Sequence, residues 1–381
     1  MDSAISGDII VYTDYRGADA NIWYYDLATS TENAVTTDRG DQVLNDVSGG
    51  IITYDHYNFG DVFTYDIATR TTTDITGNYG SGGCAREPAI GGNLLAWAQG
   101  GDIYAKDLAT GEQRRITNTP ASDRAVAVGG GIIVWQGCDP TCHIFTYDWD
   151  AATTTRISDS TCDERDPDTN GNIVVYSARP ATGGGGDICY YDIDTGVETR
   201  IVLPGDQMNP NISGDYVSFE DIGTGISHIR LLDITTDTVY DLNIPATSQQ
   251  FLNDIDGNRI VYTDDRAGRY DVYMYTFVEP ASEIPPSEQL TDILEFFDES
   301  VANGNLEGSG PGKSVQGRLG ALRNMIESVG YLIDQGRFDE AAQQLQNAYD
   351  RVDGRPRPPD FAQGSAAAQL AAMIQELIDS L

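Results

Sequence analysis

The stretch NISGDYVSFED at residues 211–221 reads as a strand, a tight Ser-Gly-Asp turn and a second strand. Variants of it recur along the first three quarters of the chain. Their turn glycines, Gly7, Gly49, Gly92, Gly130, Gly171, Gly214 and Gly257, fall 38 to 43 residues apart. A period near 40 residues marks an array of equivalent units, each too small to bury its own faces and completed by its neighbours.

Working outward from the hairpin, each unit parses into four short strands. In the first unit, strand A is expected at residues 2–6, B at 9–13, C at 21–26 (NIWYYD) and D at 33–37. Strand C recurs as DVFTYD, DIYAKD, HIFTYD, DICYYD, HIRLLD and DVYMYT, starting at residues 61, 102, 143, 187, 228 and 271. Its second position is always Ile or Val, as a buried strand position requires. Turns such as Asp194-Thr195-Gly196 link C to D, and several D strands end in Ile-Thr or Ile-Ser. Four strands per unit and seven A–B–C sets are the arithmetic of an all-β, seven-bladed β-propeller.

The strand–turn–strand followed by an Asp-Ile-Tyr strand ending in Asp resembles the TolB-type propeller repeat. The best matches are residues 209–221 and 262–275 (YTDDRAGRYDVYMY), and the resemblance covers residues 1–277. Ser-Gly-Asp or Gly-Asn stands where the family has Ser-Pro-Asp-Gly. The resemblance implies the fold. Its relatives include periplasmic interaction proteins, surface proteins and the propeller halves of peptidases, so it leaves the activity open. The seventh unit ends at Phe277 with no D strand following. Three explanations stand: a preceding segment removed, a three-stranded blade, or an open edge that accepts a strand from another subunit.

Residues 278–287 (VEPASEIPPS) read as a Pro-rich linker. Residues 288–381 read as a small α-helical bundle. Helix one is expected over 288–301. Helix two carries Val315, Leu319, Leu322, Ile326, Val329 and Ile333. Helix three carries Phe338, Ala341, Leu345 and Val352, and helix four Leu370, Ile374, Leu377 and Leu381. The run LIDQGRFDEAAQQL and the final AAQLAAMIQELIDSL resemble the FIMAH-type module at the C-termini of secreted microbial proteins.

Composition narrows the function. The formal net charge is −36, and lysine is confined to Lys106 and Lys313. Such a surface repels phosphates, which argues against nucleic acid and against anionic lipid. It fits a salty habitat, divalent-cation binding or simply a solvated acidic surface. No apolar run approaches the ~20 residues that span a bilayer, so no membrane insertion is expected. No leader is visible at the N-terminus, and Met1 is read as standing where one was removed. Of the five cysteines, Cys138 and Cys142 share one predicted loop and are read as a small disulfide, with Cys162 a competitor. That favours an oxidising compartment, extracellular or cell-surface.

No catalytic constellation emerges. There is no Gly-x-Ser-x-Gly elbow, and 59 acidic residues make any one carboxylate pair arbitrary. His143 and His228 replace the Asp or Asn that opens strand C elsewhere and read as loop-closing residues. Two loops, residues 14–21 (DYRGADAN) and 264–271 (DDRAGRYD), set carboxylates around a glycine. Asp14, Asp19, Asp264 and Asp271 are therefore candidate Ca2+ ligands, against the alternative that they bond loop amides. The first function expected is a non-enzymatic binding protein. Its B–C and D–A loops would hold a protein or glycan, with Tyr15, His56, Tyr57, Asp221 and Tyr270 on that face. The alternatives are a self-assembling structural homo-oligomer and a polysaccharide lyase or hydrolase.

Overall fold

A computed structural model of the chain describes residues 2–77, 84–158, 161–223, 225–245, 247–278, 285–310, 314–355 and 359–381. It forms two compact units, Met1–Val278 and Glu279–Leu381. The first is a seven-bladed β-propeller. Six blades have four antiparallel strands in the order A-B-C-D, from Ser3–Ser6 through Ile9–Asp14 and Asn21–Asp26 to Thr31–Ala34 in blade one. Among the described residues, blade seven has three: Gln250–Asp256, Arg259–Asp264 and Asp271–Thr276. The A strands touch one another in cyclic order, blade seven meeting blade one.

The strand pattern follows from burial. The fourth residue of strand B is aromatic in every blade: Tyr12, Tyr54, Trp97, Trp135, Tyr176, Phe219 and Tyr262. Its cross-strand partner on C is often aromatic too. The pairs Tyr54–Phe63, Trp97–Tyr104, Trp135–Phe145 and Tyr262–Tyr273 stack with centroids 5.6 to 6.2 Å apart. Such pairs strengthen a sheet beyond the area they bury. The D strands are shorter than expected, ending at Ala34 in blade one rather than at residue 37. Val35 and Thr36 leave the ladder and cap strand C instead: Val35 N–H reaches the Ile22 carbonyl at 2.9 Å, and Thr36 Oγ1 accepts Ile22 N–H at 2.9 Å.

From blade two onward, each A strand carries a β-bulge. One residue sits there at positive φ: Leu44, Glu87, Ala125, Asp166, Asn209 and Leu252, all between 48° and 54°. A bulge turns a backbone amide out of its own sheet, and the preceding blade supplies the acceptor. Asp2 takes Leu44 N–H at 2.7 Å and Glu87 takes Ala125 N–H at 2.7 Å. Gln136 takes Asp166 N–H at 3.1 Å and Glu220 takes Leu252 N–H at 2.8 Å. The other three interfaces use an aspartate beyond the bulge. Asp46 accepts Ile90 N–H at 2.7 Å, Asp168 Ile212 N–H at 2.8 Å and Asp254 Ile5 N–H at 2.7 Å. Each of the seven interfaces thus has a side chain of one blade clasping an amide of the next. At the seam between blades seven and one, Asp256 also accepts Gly7 N–H and Arg259 pairs with Asp8 at 3.1 Å.

The second unit has helices α1 (Pro286–Ala302), α2 (Ser314–Glu327), α3 (Gly330–Asp334), α4 (Phe338–Tyr349) and α5 (Ala367–Ser380). Pro286 fits the first turn of α1, where its missing N–H has no partner to lose. Leu290, Ile293, Phe297, Leu322, Ile326, Leu345, Leu370, Ile374 and Leu377 form its core. The single helix expected from Val315 to Ile333 is broken between α2 and α3. Gly330 lies close against the Leu290 side chain there, and Val329 is fully buried at the break. A two-residue ladder, Glu307–Gly308 with Ala362–Gln363, also went unread in the sequence. Most of the expected linker, residues 279–284, lies outside the described residues.

The buried clasps make stability depend on pH. Burial pushes the carboxyls of Asp46 and Asp168 up from 3.8 to about 6 and about 7, and Asp254 well above its ordinary value. The folded state therefore holds protons that the unfolded state releases. Their stabilising contribution is complete below pH ~4 and is lost as pH rises through 6 to 7. The melting temperature should fall between pH 5 and pH 8 at fixed ionic strength. Asp46→Asn and Asp168→Asn keep the acceptor but not the titration, so each should flatten that fall by a few degrees, on the scale of about 2–4 °C per kcal/mol. Thermal melts followed by circular dichroism at four pH values test this, and an unchanged slope in both variants would refute it.

Candidate functional site

Because every blade repeats one strand order, all B–C loops emerge at the same end of the ring. In blades seven, one and two these loops present Tyr270, Tyr15, Tyr57 and Phe59, each between 44% and 55% exposed. Their bases are fixed. Asp14 accepts the Arg16 amide at 2.8 Å, a side-chain-closed turn centred on Tyr15. The Arg86 guanidinium lies over the Tyr57 ring at 4.0 Å and bonds the Tyr57 carbonyl at 3.2 Å. Phe251 meets Tyr270 edge-on at 5.2 Å. Rigid, wet-tipped aromatics of this kind are what interfaces use as anchors.

Two residues expected on this face belong elsewhere. His56 is buried at the end of strand B of blade two (Ile51–His56) and stacks on Phe59 at 4.0 Å. It is shielded from a partner and underlies the exposed Phe59. Asp221, closing strand B of blade six (Tyr216–Asp221), accepts bonds from Gln207 Nε2 at 3.1 Å, Gly223 N–H at 2.9 Å and Arg230 Nη1 at 3.1 Å. Those partners make it a structural knot. His143 bonds the buried Glu164 at 3.0 Å, so the three histidines stay in blades two, four and six.

Three of the four carboxylates expected to hold calcium, Asp14, Asp264 and Asp271, are engaged by arginine. Asp14 pairs with Arg16 Nε at 2.7 Å, and the same guanidinium reaches Glu32 at 2.8 Å. Asp264 is buried and pairs with Arg266 at 2.5 Å. Burial alone would raise its pKa, but the Arg266 hydrogen bonds hold it below the usual carboxylate range. Asp271 faces Arg269 at 3.0 Å. Asp19 is half-buried, and its backbone carbonyl accepts Asn21 Nδ2 at 3.1 Å. A guanidinium already satisfies the charge a hard cation would need. Among the described residues, no three His, Cys, Asp or Glu side chains are grouped to hold a metal ion. The sequence signal was the Asp-x-Arg spacing, present at 14–16, 163–165 and 264–266.

Cys138 and Cys142 form the disulfide, closing the B–C hairpin of blade four. Cys162 is buried 3.5 Å from Arg200 Nη1, and Cys84 is exposed. Concavities lie both near the axis and between blades. A cavity of about 270 Å³ is walled by Asp2, Ser3, Asp166, Asn209 and Asn253 of the inner strands and their bulges. A larger groove of about 470 Å³ runs between blades seven and one, walled by Tyr12, Tyr25, Leu27, Tyr270, Val272 and Met274.

Known structures share this architecture. Oligogalacturonate lyase from Vibrio parahaemolyticus superposes with a TM-score of 0.58 at 12% identity, over 73% of this chain and 89% of its own. The β-propeller domain of the Trilobed protease from Pyrococcus furiosus, described as having an open velcro topology, gives 0.56 at 13% identity, over 72% and 94%. TolB from Acinetobacter baumannii gives 0.46 at 18% identity, over 62% and 64%. No protein-family model and no curated protein sequence matches the chain. For the lyase and the protease domain, at 12% and 13% identity, the likeness is one of fold.

The arginine pairing has a measurable consequence. Arg266→Gln leaves the buried Asp264 carboxylate without its cation and should lower stability by about 1–2 kcal/mol. Asp264→Asn combined with Arg266→Gln should recover part of that loss. Urea denaturation of the single and double variants gives the coupling; strictly additive effects would contradict the pairing.

Proposed function

We propose that this chain is a non-catalytic binding protein of the cell surface or extracellular space. Its propeller engages a protein or glycan through the aromatic rim of blades seven, one and two. The observation that carries this reading is the exposure of Tyr15, Tyr57, Phe59 and Tyr270 on same-end loops of three consecutive blades. Tyrosine rings stack on sugar faces and on aliphatic side chains while their hydroxyls stay wet. Flanking carboxylates are tied to arginines and so define shape more than free charge. The Cys138–Cys142 bridge supports an oxidising compartment. The helical unit, which resembles a FIMAH-type module, would supply a second attachment point.

A lyase or hydrolase reading draws on the shared fold with oligogalacturonate lyase and the protease propeller domain, and fold alone does not transfer chemistry. The full chain on an array of neutral and acidic glycans, beside the triple variant Tyr15→Ala/Tyr57→Ala/Tyr270→Ala, tests the rim. Binding to neutral glycans should fall at least tenfold in the variant, with its melting temperature kept. Equal binding by both proteins would remove the rim as the site. Release of unsaturated or reducing sugar ends from any polysaccharide in the panel would replace binding with turnover.

A further inference from the structure

Blade seven differs from the other six in one local respect, and the repeat itself shows what is missing there. In each complete blade, an apolar residue at or just beyond the end of strand D packs over the second residue of strand C. Val35 covers Ile22, Ile75 covers Val62, Ile116 covers Ile103 and Ile157 covers Ile144, and the covered residues are all 0% exposed. In blades one to four the hydroxyl that follows accepts the amide of that covered residue: Thr36 for Ile22, Thr76 for Val62, Thr117 for Ile103 and Ser158 for Ile144, at 2.8 to 3.1 Å, while in blade six Gln250 Oε1 accepts Ile229 N–H at 3.0 Å. In blades three and five an arginine preceding the apolar residue also pairs with the aspartate that opens strand C, Arg115 with Asp102 and Arg200 with Asp187, both at 2.6 Å.

In blade seven the corresponding residues stand open. Val272 is partly exposed and Met274 is 40% exposed. Phe277 N–H bonds inward to the Asn258 carbonyl. Strand alternation therefore turns the N–H and C=O groups of Val272, Met274 and Thr276 outward. No strand pairs with them among the described residues. Beside this edge runs the groove of about 470 Å³, with Asp14, Glu32 and Asp271 against Arg16 and Arg269 on its walls. At a complete blade the D segment forms part of the corresponding wall, as Ile116 and Thr117 do between blades three and four. Asp14 and Glu32 share Arg16 and Asp271 pairs with Arg269, so these walls hold one carboxylate more than guanidiniums.

We propose that this edge is a docking site for an extended segment of a second protein carrying Arg-(Ile/Val)-(Thr/Ser). The segment adds antiparallel to Asp271–Thr276 as the fourth strand of blade seven. Its arginine faces Asp271, its Ile or Val enters the groove over Val272, and its hydroxyl accepts the Val272 amide. Main-chain bonds supply affinity and the pocket supplies selectivity, as in other strand-addition complexes. The site adjoins the proposed rim at Tyr270 but uses the edge of Asp271–Thr276, so it is tested without the rim tyrosines.

The probe is a labelled peptide of this chain's own blade-three sequence, QRRITNT (residues 113–119), added to the full-length protein. Saturable binding by fluorescence anisotropy is expected, with slowed hydrogen exchange at Val272 and Met274. Replacing the peptide isoleucine by aspartate should weaken binding at least tenfold. Met274→Pro removes an outward amide while sparing the ladder to the inner strand, and should weaken it as much. Asp271→Lys, a surface change that keeps the fold, should weaken it several-fold. Absence of saturable binding, or binding untouched by both protein variants, overturns the proposal. Edge amides already protected in the free monomer would show the chain covering its own edge. Protection that rises with protein concentration would assign the edge to a second copy. Either result would also overturn it.

Discussion

The structure depends on a side chain of one blade accepting a backbone amide of the next. Asp2, Asp46, Glu87, Gln136, Asp168, Glu220 and Asp254 each make this clasp once, always toward the next blade around the ring. Apolar packing between blades is strong but directionless, and alone would tolerate sliding. An amide near the axis needs a particular acceptor at about 2.8 Å, and losing one leaves a buried donor unsatisfied. The clasps thus fix the register of each blade against its neighbour. The same logic closes the ring, since Asp254 and Asp256 join blade seven to blade one with no strand shared between them among the described residues.

A rigid ring lets its loops be used as a surface. Tyr15, Tyr57, Phe59 and Tyr270 are held by turns, a cation–π contact and edge-on stacking, so little side-chain entropy remains to be lost when a partner arrives. Acidic residues do different work in different places. Near the axis they are half-buried or buried acceptors, on the loops many are anchored to arginine, and over the remaining surface they are solvated. The net charge alone conceals that division.

The spacing of the turn glycines and the Ile or Val in each C strand made the ring legible. Tyr15, Tyr57 and Tyr270 could be placed on loops for the same reason. His56 could not, because one residue of extra strand separates a loop tip from a buried stack on Phe59. The clasps were hidden because their seven donors of oxygen come from three different repeat positions and include Asp, Glu and Gln. The bulges were hidden too. Leu44, Ala125 and Leu252 adopt positive φ without the Gly or Asn that would advertise it. At Asp14, Asp264 and Asp271 an arginine two residues away is paired with the aspartate named for calcium, a local competition that the spacing of carboxylates alone does not register. In the helical unit a 3.6-residue pattern ran unbroken through Ser328–Val329, since periodicity records which face is apolar and not whether the backbone bends there.

The seam between blades seven and one also bears on how the chain reaches this state. Within every blade, strands adjacent in sequence are adjacent in the sheet, so each sheet assembles from neighbouring segments with small loop-closure entropy. The contacts that join the ends of the ring, such as Ile5 with Asp254, span 249 residues. A propeller locked by strand exchange would leave one blade waiting for a distant strand. Here blade one completes its own four strands at once, and the long-range event reduces to docking two finished surfaces. Ring closure is thus the entropically dearest contact of the propeller.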